Sequence, residues 1–146
     1  MKKILIIMCC LLTVQITAKA SDDKAISFEE LPAQSQQFVN AYFSGQTIAL
    51  VKMDCDILDK SYEVIFTNGN KIEFNRRGEW KEIDCKHTQL PEQLIPIEIK
   101  NFILNNYPNN NIFKIEKDSR GRSEIDLQNG LSLKFDSKYK LIDIDN

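Results

Sequence analysis

The chain is poor in the residues that most often carry catalysis. Its 146 residues include one histidine, His87, and one tryptophan, Trp80, with only five glycines and four prolines. Scarce glycine argues against a phosphate-cradling loop. There is also no His-Glu-x-x-His zinc helix and no Gly-x-Ser-x-Gly nucleophile elbow. Long apolar runs are missing as well. The longest, "ILIIMCCLLTV" from Ile4 to Val14, has eleven residues, against the roughly 20 that a membrane-spanning helix needs.

That short run has the form of a secretory signal. Lys2 and Lys3 supply a positive start, and Ala18 and Ala20 give the small-x-small pattern that signal peptidase reads. Residues 1–20 are therefore expected to be a cleavable signal peptide, sending the chain to the periplasm or outside the cell with no stable membrane insertion after cleavage. Lipidation at Cys9 or Cys10 is not expected, because the bulky "IIM" precedes Cys9 instead of small residues. Removing Lys2, Lys3 and Lys19 leaves 16 basic against 21 acidic residues, a net charge near −5. Nucleic acid is thereby excluded as a partner, since its binders carry a basic patch or stripe.

The rest of the chain is written twice. "LPAQSQQFVNAYFSGQTI" (Leu31 to Ile48) aligns without gaps on "IPIEIKNFILNNYPNNNI" (Ile95 to Ile112), with Pro32 on Pro96, Phe38 on Phe102 and Val39 on Ile103. "YEVIFTNGNKIEFNRRGEW" (Tyr62 to Trp80) has its echo in "SEIDLQNGLSLKFDSKYK" (Ser123 to Lys140). In each copy a proline opens a helical pattern, placed where its missing N–H costs nothing. Phe38, Val39, Tyr42 and Phe43 fall on one helical face, as do Ile95, Ile99, Phe102 and Ile103. Strands follow. Tyr62, Val64 and Phe66 alternate with Glu63, Ile65 and Thr67, and Ile72 and Phe74 alternate with Lys71, Glu73 and Asn75. Asn68-Gly69 and Asn129-Gly130 predict tight type I′ hairpin turns.

The fold class expected from this pattern is α+β: a tandem repeat of a helix plus a four-stranded antiparallel meander, with the helix on one sheet face and water on the other. About 60 residues per unit is marginal for a separate core, so the halves are expected to pack together or join edge to edge. The boundaries are residues 1–20 for the signal, 21–88 for the first repeat and 89–146 for the second, with Cys85 to Leu94 as connector. A monomer is expected. In such a meander Cys55 and Cys85 lie at opposite ends of their strands. An oxidising compartment favours a disulfide between them while topology opposes it, and the sequence leaves both states open.

Chemistry is sparse. His87 lies two residues after Cys85 in a polar linker, with nothing to orient an imidazole, and a solvated loop residue is the simpler reading. Asp54, Asp56 and Asp59 cluster, but counting from Asp54 the glycine and glutamate positions of a calcium loop hold Asp59 and Ile65. No catalytic residue, cofactor or metal ligand is therefore assigned. The solvent-facing register of the strands is the remaining candidate, with Glu63, Ile65, Glu73 and Lys134 as expected partner-binding residues; Trp80 is expected either to pack on the core or to join them as an aromatic anchor for the partner. The partner would be another envelope protein or a peptide. The alternative is a small-ligand or metal-ion sensing module of the envelope.

Two pieces, "NGNKIEFNRRGEW" and "NYPNNNIFKIEKD", together with an "LP" that recurs at Leu31-Pro32 and Leu90-Pro91, give the mature chain a resemblance to the PepSY-like family of β-lactamase-inhibitor-like secreted bacterial proteins. The resemblance implies tandem helix-on-sheet units and a sheet surface that grips another protein. It also implies restraint of an envelope hydrolase or peptidase without catalysis by the chain itself.

Overall fold

A computed structural model describes residues 23–56, 58–86 and 88–146. The expected signal peptide, and His87, lie outside the described residues. The strands are β1 (Lys24–Ile26), β2 (Ile48–Cys55), β3 (Lys60–Phe66), β4 (Lys71–Asn75), β5 (Trp80–Asp84), β6 (Ile112–Lys117), β7 (Ser123–Leu127), β8 (Ser132–Phe135) and β9 (Leu141–Asp145). Helix α1 (Ala33–Tyr42) precedes β2 and helix α2 (Ile97–Asn106) precedes β6.

The expected tandem of helix-plus-four-strand meanders is corrected by the topology. All nine strands form one antiparallel sheet in the order β1 to β9. Strands β5 and β6 pair directly, Ile83 opposite Ile115 and Asp84 opposite Lys114, although a connector and a helix separate them in sequence. The physical reason is that a half-sheet left alone would expose a strand edge with unmet backbone groups and would bury too small a core for about 60 residues. Strand β1, which adds to the edge of β2 through Ile26 and Val51, is too short to show an alternating pattern.

One cross-strand row holds the sheet together. Ile26, Val51, Val64, Ile72, Ile83, Ile115, Ile125, Leu133 and Ile144 are successive partners across all nine strands. From Val64 to Leu133 every member is fully buried. Burial of each such side chain contributes about 2 kcal/mol. The helices cover this face. Phe38 of α1 meets Phe74 edge-on at 5.8 Å, and Phe102 of α2 meets Phe135 in the same way at 5.5 Å. Phe43 at the end of α1 stacks on Phe66 at 5.4 Å.

The hairpins differ in detail from the expected type I′ form. Only Gly69 and Gly130 take positive φ, and Asn68 and Asn129 do not. Phe66 N–H bonds to Asn70 O and Leu127 N–H to Leu131 O, enclosing three-residue loops. These are type I turns closed by a left-handed glycine. Each asparagine oxygen accepts the N–H two residues on, from Asn70 and Leu131. Three further turns are each held by one side-chain oxygen, from Asn75, Asp118 and Asp136, that accepts two backbone N–H groups.

The β4–β5 turn is docked on α1 at a single glycine. Gly78 sits at φ +86°, its carbonyl accepts the Ser35 hydroxyl at 3.1 Å, and a Cβ there would lie 2.7 Å from Pro32 Cβ. Gly130 has a similar φ but open space around it. In urea titrations, Gly130→Ala should cost about 1 kcal/mol, the backbone penalty alone. Gly78→Ala should cost about 2–4 kcal/mol because the clash adds to it. Equal losses would show that the docking contact carries no weight.

Candidate interaction face

The face opposite the helices carries a second row, one residue out of phase with the aliphatic one. Lys52, Glu63, Glu73, Glu82, Glu116, Glu124, Lys134 and Asp143 are successive cross-strand partners from β2 to β9. Five glutamates on five neighbouring strands thus stand side by side. With strands about 4.8 Å apart, they make a carboxylate strip about 19 Å long. Like charges directly opposed across strands are destabilising, so something must offset them.

Lysines do so. Lys71 lies between Glu63 (3.8 Å) and Glu82 (3.5 Å), and Lys114 between Glu82 (3.2 Å) and Glu116 (3.9 Å). Lys81 donates to Glu73 at 3.0 Å, Lys52 lies 3.6 Å from Glu63, and Lys134 donates to Asp145 at 2.7 Å. The charges respond. Burial and the neighbouring Glu82, Glu124 and Glu73 raise the Glu116 carboxyl above its ordinary range, although Lys114 opposes the shift. Burial works against the charge on Lys114, but Glu82, Asp126 and Glu116 outweigh it and hold its pKa up.

Of the residues expected to bind a partner, Glu63, Glu73 and Lys134 fall in this row. Ile65 lies in the next row of the same face, between Leu50 and Lys71. Trp80 does not join them. It pairs with Phe74, a core residue, and packs on Phe38 of α1, which places it on the helix side of the sheet. Glu82 and Glu116 were not singled out from the sequence. The alternation in "EWKEIDC" and "IFKIEK" sets them out of phase with Ile83 and Ile115, but their adjacency depends on the β5–β6 register. In the acidic loop Asp56 N–H closes onto Asp59 O. Among the described residues no group of three or more His, Cys, Asp and Glu is placed to hold a metal ion.

Cys55 and Cys85 are both free thiols, the first exposed and the second buried. Cys55 pairs with Lys60 at one end of the strands, whereas Cys85 follows Asp84 at the other. Burial pushes the Cys85 thiol up to about 11, against a smaller opposing effect of its hydrogen bond to Thr88. It is therefore protonated at neutral pH and a poor nucleophile.

Two measurements check this electrostatic picture. Lys114→Met should lower stability by about 1 kcal/mol at low ionic strength, and added salt should shrink the deficit. A loss independent of salt would assign it to packing. Native Cys85 should resist iodoacetamide at pH 8 while Cys55 is labelled. Because its folded pKa is raised, the stability linked to Cys85 is full below about pH 9 and falls as pH rises towards 11. Cys85→Val should remove about 2 kcal/mol of that alkaline loss; an unchanged alkaline limb would contradict it.

Comparison with known proteins places the chain. A family model described as "Putative beta-lactamase-inhibitor-like, PepSY-like" matches residues 60–143. No curated protein matches. Among solved structures, a Bacteroides vulgatus protein of the DUF2874 family is 43% identical with a TM-score of 0.83, covering 87% of this chain and 99% of that one. A Bacteroides thetaiotaomicron protein, described as a "putative calcium-regulated periplasmic protein", is 50% identical with a TM-score of 0.83, covering 86% and 98%. A third, from Bacteroides vulgatus and of unknown function, is 32% identical with a TM-score of 0.80, covering 85% and 99%. The first and third are also described as "putative" periplasmic proteins. With its aliphatic and charged rows on opposite faces of one sheet, this chain belongs to the PepSY-like, β-lactamase-inhibitor-like family.

Proposed function

We propose that the chain is a non-enzymatic binding module of the periplasm or cell envelope, whose open sheet face takes a protein partner and restrains an envelope hydrolase or peptidase. The carboxylate row carries this reading. It is broad, rigidly held by backbone pairing, and uncovered by any helix among the described residues. It offers a basic partner surface five carboxylates in register, whose lysine counter-charges a partner's own lysines and arginines can replace. Electrostatic complementarity of this kind sets specificity and association rate more than raw affinity. The periplasmic descriptions of the similar structures support the location. No helix among the described residues is long and apolar enough to cross a membrane.

The test is retention of a partner from envelope extract by the immobilised protein, compared with Glu73→Lys/Glu82→Lys. The wild type should retain a discrete polypeptide whose binding weakens with salt. The double variant, folded by circular dichroism, should lose it. Equal retention by both removes the open face from the account.

A second reading has one observation of its own. The 50% identical relative is described as calcium-regulated, and on this reading carboxylates of the open row, which form no metal-holding group as they stand, close on a divalent cation when it binds. Millimolar Ca²⁺ should then raise the melting temperature of the wild type and leave Glu82→Gln/Glu116→Gln unmoved. No shift in the wild type ends that reading.

A further inference from the structure

A groove at one end of the β5–β6 seam, which shares Lys81 and Glu116 with the edge of the charged face, carries a further inference. Every neighbouring pair from β2 to β9 is joined by a turn except β5 and β6, whose connection runs through α2 at the other end of the strands. Pairing across that seam stops at Glu82 and Glu116. Beyond it the β4–β5 and β6–β7 turns stand apart, and a groove of about 830 Å³ opens between them. That is within the range of small-ligand sites, roughly 300–1,000 Å³. Trp80 and Phe38 give it an aromatic side, with ring centroids 6.3 Å apart.

Lys117 sets the chemistry. Its ammonium lies 3.7 Å from the centre of the Trp80 ring and forms no ion pair among the described residues. The other cations lining the groove are already engaged, Arg77 with Glu79 at 3.1 Å and Lys81 with Glu73 at 3.0 Å. The acids at its rim are engaged too: Asp118 accepts from Arg120, from Arg122 N–H and from the Arg122 guanidinium. Lys117 is an exposed residue at the end of β6, and partial burial beside the Trp80 ring lowers its pKa.

We propose that this groove binds the carboxyl terminus of an extended peptide with an apolar last residue, the carboxylate meeting Lys117 and the side chain meeting Trp80 and Phe38. One unpaired cation matches one negative charge. Glu116 and Asp118, which flank Lys117 in sequence, disfavour a doubly charged phosphate. The groove is larger than one amino acid requires, so residues before the terminus lie between the two turns.

Trp80 is the chain's one tryptophan, so its fluorescence reports on the groove directly. Titration with acetyl-Ala-Ala-Ala-Leu as the free acid should shift its emission saturably. The C-terminal amide of the same peptide should bind about tenfold more weakly, the loss of one charge-assisted contact. Lys117→Met should bind acid and amide alike, while Lys117→Arg, which keeps the charge, should keep the preference. Glu63→Lys/Glu124→Lys, in the charged row but ion-paired with no residue that lines the groove, should respond as the wild type does, separating this site from the open face. No response to the free acid at millimolar concentration overturns the proposal, and so does equal binding of acid and amide by the wild type. Octanoate binding as tightly as the peptide would overturn the peptide assignment in favour of a lipid carboxylate.

Discussion

Everything in this fold depends on one row of aliphatic side chains that crosses the sheet from β1 to β9. Because side chains alternate with a period of two, fixing that row on the helix face fixes every other row. A slip of one residue anywhere would carry an isoleucine or valine into water and a glutamate or lysine under a helix. The β5–β6 seam is where the constraint does most, since Ile83 and Ile115 meet there without a hairpin to set their register. Their contact makes one sheet out of what would otherwise be two exposed edges.

The charged row follows from the aliphatic one. Glu63, Glu73, Glu82, Glu116 and Glu124 are neighbours because their sequence neighbours Val64, Ile72, Ile83, Ile115 and Ile125 are neighbours on the other face. Packing on one side thus forces carboxylates together on the other, and Lys71, Lys81 and Lys114 offset the resulting repulsion. Individual surface ion pairs contribute little, about 0–1 kcal/mol. The consequence of the row is therefore an organised field on an open surface more than stability. The groove at the mouth of the seam has the same origin, in the absence of a turn between β5 and β6.

Much of this was legible in the sequence, for physical reasons. The helices showed in the spacing of Phe38, Val39 and Phe43 and of Ile99, Phe102 and Ile103. The hairpins showed in alternation around Asn68-Gly69 and Asn129-Gly130. Pairing between distant strands was not legible, because periodicity says which face a residue takes and not which strand lies beside it. For that reason the two repeats were expected to pack or join edge to edge without the β5–β6 register being fixed, and Glu82 and Glu116 went unremarked. Trp80, read from the sequence as either a core aromatic or a partner's anchor, lies on the helix side because the register of β4 and β5 shifts between Glu73 and Phe74, an irregularity that strict alternation cannot show. The turn geometry was misread because asparagine tolerates positive φ without requiring it. The Asn70 side chain, buried and donating to Gln46 and Thr88, had no signal beyond its position after the turn.

The central claim is that the aliphatic row makes the sheet one cooperative unit across the β5–β6 seam. Native-state hydrogen exchange in a series of urea concentrations tests it most directly, read at the amides of Ile72 and Ile125 on either side. The account predicts that both exchange through a single global unfolding with the same free energy, and that Ile115→Ala lowers both together by about 2–4 kcal/mol. Separate free energies, with Ile115→Ala lowering that of Ile125 and leaving Ile72 untouched, would contradict it.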